Sequence, residues 1–205
     1  MRLSAYNLRC VRGDCQVFDN LCFTIEGGQA LVVTGPNGAG KSSLLRLIGG
    51  LVRIDSGTLT LEGGDPERGI GEQVHYLGHL DPLKPSLTAR ENLLFWAQFL
   101  GGDLLKAAQA LEKVGLAGLA DLPAGYLSAG QRRRLSIARL LSVPRPIWLL
   151  DEPTAPLDTA ARDDIAALMQ AHLAQGGIIV AATHAPIGLE GAQELRLDAA
   201  RAIAA

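Results

Sequence analysis

Leu127-Ser128-Ala129-Gly130-Gln131 takes its meaning from what stands on either side of it. Upstream lies Gly35-Pro36-Asn37-Gly38-Ala39-Gly40-Lys41-Ser42, of the form G-x-x-x-x-G-K-S, with Ser43 next in the chain. Downstream lies Pro146-Ile147-Trp148-Leu149-Leu150-Asp151-Glu152-Pro153, an apolar run that ends in two adjacent carboxylates. The upstream segment has the composition of a phosphate cradle. Its glycines let successive backbone N–H groups converge on phosphate oxygens without side-chain clash. Lys41, one of four lysines in the chain, supplies a point charge for the β- and γ-phosphates. Ser42 offers a hydroxyl to Mg²⁺, and the helix that follows adds the partial positive charge of its N-terminus.

Working outward, Ala30-Leu31-Val32-Val33-Thr34 is a continuous apolar run, as expected of a strand buried on both faces of a parallel sheet. Before it, Leu3 to Val11 and Gln16 to Ile25 are rich in β-formers, with a turn at Gly13-Asp14. After the cradle, Ser42 to Ile48 reads as a helix stopped by Gly49-Gly50. Thr58 to Glu62 and Gln73 to Leu77 read as strands. The pattern then turns helical. Thr88-Ala89-Arg90-Glu91 is a capping box opening a helix through Leu100, and Asp103 caps a second running to Val114. Ser128-Ala129-Gly130-Gln131 is another capping box, opening a helix that ends before Pro144. Ile147 to Leu150 and Ile178 to Ala182 return to strand, with a helix from about Thr159 to Ala174 between them. The reading is an α/β core interrupted over about residues 79–145 by a helical insertion.

Composition sets the outer bounds. Two hundred and five residues suit one domain, and 48% apolar with 20% charged residues describes a soluble globular chain. A net charge of −2 leaves no nucleic-acid footprint, and Arg132-Arg133-Arg134 reads as a local cluster. No apolar window approaches the roughly 18 residues of a membrane span, and the N-terminus has no signal-peptide pattern, so a cytoplasmic chain is expected. Cys10, Cys15 and Cys22 are odd in number and lack C-x-x-C spacing. They are expected to be buried or half-buried thiols in strands. C-x-x-C-H is absent, so no covalent haem attachment is expected.

Asp151 and Glu152 should emerge at the carboxyl end of their strand, where α/β ligand sites form. Alone, two acids after a strand would be a helix cap. With the cradle in the same chain, Asp151 is placed to hold Mg²⁺ through water and Glu152 to polarise an attacking water as general base. His75 and His79 have metal-like i,i+4 spacing only on a helix, and their segment reads as strand and loop, so a metal pair is not expected.

With these three motifs in this order, the chain resembles the ATPase subunits of ATP-binding cassette (ABC) systems. The resemblance implies a single ATPase domain over residues 1–205, with a P-loop NTPase core, an antiparallel β subdomain and a helical insertion subdomain. It implies ATP and Mg²⁺ as cofactors, bound at Gly35, Pro36, Asn37, Gly38, Ala39, Gly40, Lys41, Ser42 and Ser43. It also implies a homodimer. In the family, Ser128, Gly130 and Gln131 of one chain close over the γ-phosphate held by the other, and Ala155-Pro156-Leu157-Asp158 matches the loop that crosses the seam. His184, after the strand ending in Thr183, falls where the family places a switch histidine against the γ-phosphate. Two positions depart from the pattern. Leu77-Gly78-His79-Leu80 stands where a glutamine is usual, and histidine, unlike glutamine, is a side chain that changes charge near neutral pH. Arg12 falls where an aromatic usually stacks on adenine, and a guanidinium plane can stack in its place.

Further stretches resemble the CcmA family, the ATP-binding subunits of the cytochrome c biogenesis haem exporter. These are Cys10-Val11-Arg12, Tyr76-Leu77-Gly78-His79, Glu91-Asn92-Leu93-Leu94-Phe95-Trp96, and Leu122-Pro123-Ala124-Gly125-Tyr126 running into the signature segment, with Trp148 in the catalytic strand. That resemblance implies a peripheral homodimer on the cytoplasmic face of the inner membrane, bound to two different integral membrane subunits, without direct haem contact. Leu93 to Leu100 is the candidate docking surface for those subunits. Three alternatives stay open: an ABC ATPase for another transported substrate, a soluble ABC ATPase acting outside transport, and a phosphate-loop kinase. The kinase would need an acceptor pocket and has no use for Leu127-Ser128-Ala129-Gly130-Gln131.

Overall fold

A computed structural model describes residues 1–13 and 15–198, together with the backbone of 201–202. Asp14 of the expected turn and most of the alanine-rich tail lie outside the described residues. The chain opens with β1 (Arg2–Arg12) and β2 (Cys15–Glu26), paired antiparallel. Asn7 and Asn20 take left-handed backbone at φ +49° and +51° beside irregularities in this pairing. An extra residue shifts strand parity. Leu3 and Ala5 before the irregularity, and Leu8 and Cys10 after it, therefore all reach the core.

The next elements are β3 (Ala30–Thr34), α1 (Lys41–Ile48) and β4 (Ser56–Glu62), and β4 pairs antiparallel with β1. A short 3₁₀ turn, Ile70–Gln73, leads into β5 (Val74–Leu77). Between β5 and β6 (Ile147–Asp151) the chain forms α2 (Ala89–Phe99), α3 (Leu104–Lys113) and α4 (Ala129–Ser142). Then come α5 (Thr159–Ala174), β7 (Ile178–Ala182), β8 (Gln193–Arg196) and β9 (Arg201–Ala202).

The helix starts follow from their caps. Thr88 accepts the Glu91 N–H while the Glu91 carboxylate takes the Thr88 N–H, and Ser128 and Gln131 form the same reciprocal pair. Asp103 caps α3 through the Leu105 N–H, and Asp158 caps α5 through the Ala161 N–H. Each such cap is worth about 1 kcal/mol.

The strands form two sheets, one antiparallel in the order β4-β1-β2-β9 and one parallel in the order β5-β6-β7-β3-β8. All of β6 and β7 is buried, and the two faces of β6 feed two different cores. Ile147 and Leu149 face α1 and the antiparallel sheet, whereas Trp148 and Leu150 face α2 to α5. Each fully buried Leu or Ile contributes about 1.5–3 kcal/mol, so the sheet is the rigid plate on which the loops at its carboxyl edge are mounted. β8 and β9 have no counterpart in the sequence reading.

Two expectations are corrected. Cys10 is buried, with a thiol pushed up by desolvation, and Cys15 is half-buried, but Cys22 faces solvent. In the docking segment Leu93 and Ala97 are core residues, so only part of Leu93 to Leu100 is available as a surface. Phe95 and Phe99 are its exposed face, their rings stacked at 6.2 Å. Among the described residues no helix is long and apolar enough to cross a membrane.

Candidate functional site

β5, β6, β7 and β3 are neighbours in one parallel sheet, so their carboxyl ends deliver four loops to one place. The loop after β3 is the segment expected to cradle phosphate. Gly35, at φ +135°, sits against the Leu197 carbonyl, and Gly40, at φ +95°, sits against the Val17 side chain, so a Cβ at either position would collide. Gly40 also caps α1, leaving the first N–H groups of that helix without a side-chain partner. Lys41 is nearly buried, and its Nζ donates to the carbonyls of Gly35 at 2.8 Å and Pro36 at 3.1 Å. A cleft of about 570 Å³ opens here, and Asn37, Gly38, Gly40, Lys41, Ser42 and Ser43 line it. Gly35 and the buried Ala39 shape the loop from behind, and Pro36 contributes the carbonyl to Lys41.

The loop after β6 brings the acids. Asp151 and Glu152 both line the same cleft. Asp151 is buried, and its Oδ2 has no hydrogen-bond partner in the structure. A buried carboxylate oxygen costs several kcal/mol unless something compensates it. An orphaned carboxylate oxygen on a residue that lines the same cleft as Ser42 is thus the environment a hard cation requires. Mg²⁺ takes one or two protein oxygens plus substrate phosphates and water. The donor set fits that ion.

Glu152 has left-handed backbone, φ +48°, and every part of it is held. Its N–H donates to the Ala182 carbonyl at 2.8 Å. Oε1 accepts the His184 N–H at 3.1 Å, and the Thr183 hydroxyl lies 3.2 Å from Oε2. The His184 ring leans the other way, with Nε2 3.0 Å from Asn37 Oδ1 and 3.9 Å from Glu152 Oε1. His184 therefore touches both the phosphate cradle and the acid. His79, from the loop after β5, completes the wall opposite, and Arg12 and Cys15 line the far end of the cleft.

Ser128, Gly130, Gln131 and Asp158 do not line this cleft. Ser128 and Gln131 cap their own helix, and Asp158 caps α5. The Ser128 oxygen accepts, so its proton remains available for donation. A Cβ on Gly130 would stand 3.3 Å from the Pro156 carbonyl, so the signature segment and the loop at residues 155–158 lie against each other. Ala129, Arg132, Ala155 and Pro156 line a second cleft of about 380 Å³, and it shares His79 and Glu152 with the first.

The sequence reading missed Arg133. It is only 2% exposed, and its guanidinium binds Gly78, Asp81, Asp151, Glu152 and Pro153. The sole signal was the arginine triplet, read there as a local cluster.

The sequence profile of the ABC transporter family matches residues 18–155, about two thirds of the chain. The curated Cytochrome c biogenesis ATP-binding export protein CcmA of Nitrobacter winogradskyi is 60% identical over 200 residues, covering 98% of this chain and 100% of that protein. The protein of that name from Rhodopseudomonas palustris strain BisB5 is 59% identical over the same length and coverage. This chain belongs to the ABC transporter family, among the CcmA proteins.

Solved structures agree at the level of fold. A putative ABC transporter ATP-binding protein from Pyrococcus furiosus superposes with a TM-score of 0.82 at 24% identity, covering 96% of this chain and 98% of that one. An ATP-binding subunit of an ABC transporter superposes at 0.84 with 23% identity, covering 96% of this chain and 86% of that one. The ABC transporter profile ends before His184, so in this family member the placement of that histidine rests on the structure. As an ABC ATPase, the chain binds nucleotide and hydrolyses ATP.

Proposed function

We propose that the chain is the ATP-hydrolysing subunit of an exporter that serves cytochrome c maturation, working as a homodimer with two ATP molecules between its copies. The convergence of Lys41, Ser42, Asp151, Glu152 and His184 on one cleft carries the chemical part of this reading. Identity near 60% to CcmA proteins over almost the whole chain carries the physiological part.

In this reading the cradle N–H groups and Lys41 hold the β- and γ-phosphates. Lys41 exchanges its two backbone carbonyls for phosphate oxygens. Ser42 and Asp151 would hold Mg²⁺, which supplies neutralising charge on the phosphates. Glu152 takes the proton of the attacking water, and its three fixed contacts keep one carboxylate oxygen aimed at that water. The His184 ring, now on Asn37, turns to the γ-phosphate. Arg12 stacks on the base.

One chain leaves the γ-phosphate open on one side. The α4 N-terminus of a second copy, with the Ser128 proton and the Gly130 N–H, closes it, and the loop at residues 155–158 lies along the seam. ATP binding closes the dimer, and hydrolysis reopens it. The dimer sits on the cytoplasmic face of the inner membrane against two different integral subunits, with Phe95 and Phe99 in the docking face.

The test is affinity purification of tagged Glu152→Gln protein from its own membranes with ATP and Mg²⁺. Recovery of two integral cytochrome-assembly subunits is expected. Recovery of other permease subunits, or of soluble partners alone, contradicts the physiological part and leaves the ATPase chemistry standing.

A further inference from the structure

The geometry points to Arg133 as the positioning residue for Glu152, and as the mechanical link between the signature helix and the hydrolytic carboxylate. The inference rests on the reading of Glu152 as general base.

A guanidinium has five N–H donors in one plane, and here each has an acceptor. Nε donates to the Pro153 carbonyl at 3.1 Å. Nη2 donates to the carbonyls of Asp151 at 2.6 Å and Glu152 at 2.8 Å. Nη1 donates to the Gly78 carbonyl at 2.7 Å and to Asp81 Oδ1 at 3.2 Å. Three of the five bonds thus fall on the consecutive carbonyls that carry the two acids. The other two fall on the loop that carries His79.

Glu152 needs such a clamp. A non-glycine residue in left-handed backbone persists only where its surroundings over-determine it. The peptides on both sides of Glu152 are tied. The N–H is fixed by Ala182 in the sheet, and the carbonyls of residues 151–153 are fixed by one side chain from α4. If that side chain is withdrawn, the peptide after Glu152 is free to rotate and the carboxylate moves with it. Among the described residues, the hydrogen bonds of the Arg133 guanidinium go to these two loops and none goes to the phosphate cradle.

Its place on α4 gives the clamp a second property. Arg133 lies within two turns of Ser128, the N-cap of the same helix. In the proposed sandwich that N-terminus meets the other copy's nucleotide. A shift of α4 on closure pulls on the Asp151–Pro153 backbone and on the His79 loop together, through one rigid group. Lysine keeps the charge but has three tetrahedral donors on a flexible stem and cannot span both loops.

The test compares purified full-length Arg133→Lys, Asp81→Ala and Glu152→Gln proteins with the parent. Nucleotide affinity is read from a fluorescent ATP analogue, folding from thermal denaturation, and kcat and KM from phosphate release. Arg133→Lys is expected to bind nucleotide as the parent does while kcat falls on the order of 100-fold, the cost of about an ångström of misplacement. Asp81→Ala loosens one end of the clamp and is expected to lower kcat about tenfold, again at unchanged affinity. A purely structural arginine would lower the melting temperature and the yield of active sites but leave kcat per nucleotide-binding site intact, and that result overturns the proposal. Should Arg133→Lys not fold, Asp81→Ala decides, with parental kcat overturning the proposal and reduced kcat at parental affinity supporting it. Parental turnover in Glu152→Gln would instead overturn the base assignment, so the two failures are distinguishable.

Discussion

The backbone N–H of His184 donates to the carboxylate of Glu152 across 3.1 Å, joining the ends of two adjacent buried strands. Because β6 and β7 are hydrogen-bonded from Ile147–Ile178 to Asp151–Ala182, this contact is set by sheet register. Strand packing therefore holds the acid, while the His184 imidazole reaches Asn37 of the loop after β3 at 3.0 Å. The proposed base is thus held by the backbone of the residue whose side chain is proposed to meet the γ-phosphate.

Lys41→Ala removes the lysine that lines the cleft beside Gly40 and Ser42. Charge-assisted hydrogen bonds are worth about 1.5–3 kcal/mol each, so nucleotide affinity is expected to weaken by about 10–150-fold. Titration with a fluorescent ATP analogue measures it. Parental affinity would mean that Lys41 stays on the Gly35 and Pro36 carbonyls when nucleotide binds.

Asp151→Asn keeps the shape of the acid and removes its charge. The expected consequence is metal dependence. The Mg²⁺ concentration at half-maximal turnover should rise about 10–100-fold, the usual cost of losing an outer-shell carboxylate. An unchanged Mg²⁺ titration with lower plateau activity would assign the orphaned Oδ2 a role other than the cation.

Part of the acid sensitivity should come from His75, which is not among the residues lining the cleft. Burial pushes its imidazole down to about 3, against an ordinary 6.5, while the bond to the Val143 carbonyl opposes the shift and Arg139, Arg145 and His172 add to it. The folded chain thus keeps His75 neutral where the unfolded chain protonates it. Stability is full above pH 6.5 and falls as the pH drops from 6.5 towards 3, with a slope approaching about 1.4 kcal/mol per pH unit for this group. His75→Gln, which can still donate to Val143, should show a flatter decline in urea denaturation between pH 7 and pH 5. Parallel declines in the two proteins would contradict the assignment.

Much of this molecule was legible in its sequence, for identifiable reasons. The helix starts at Thr88, Asp103 and Ser128 were readable because capping is local chemistry written within four residues. β3, β6 and β7 were readable because strands buried on both faces must be continuously apolar. β8 was not, since Gln193-Glu194-Leu195-Arg196 is an edge strand, exposed on most of its length and without an apolar pattern. Cys22 was misjudged because the irregularity near Asn20 changes which face of β2 is buried, and a bulge leaves no reliable mark in sequence. Arg133 escaped for a different reason. Its five acceptors are mostly backbone carbonyls from loops that are distant in sequence, and backbone partners carry no residue-type signal.

The central claim is that Glu152 is the base of ATP hydrolysis, and the most direct test is the steady-state rate of phosphate release by Glu152→Gln at saturating ATP and Mg²⁺. The account predicts a protein that binds nucleotide as the parent does while turnover falls about 10²–10⁴-fold, the worth of a positioned general base. Phosphate release at the parental rate would contradict it.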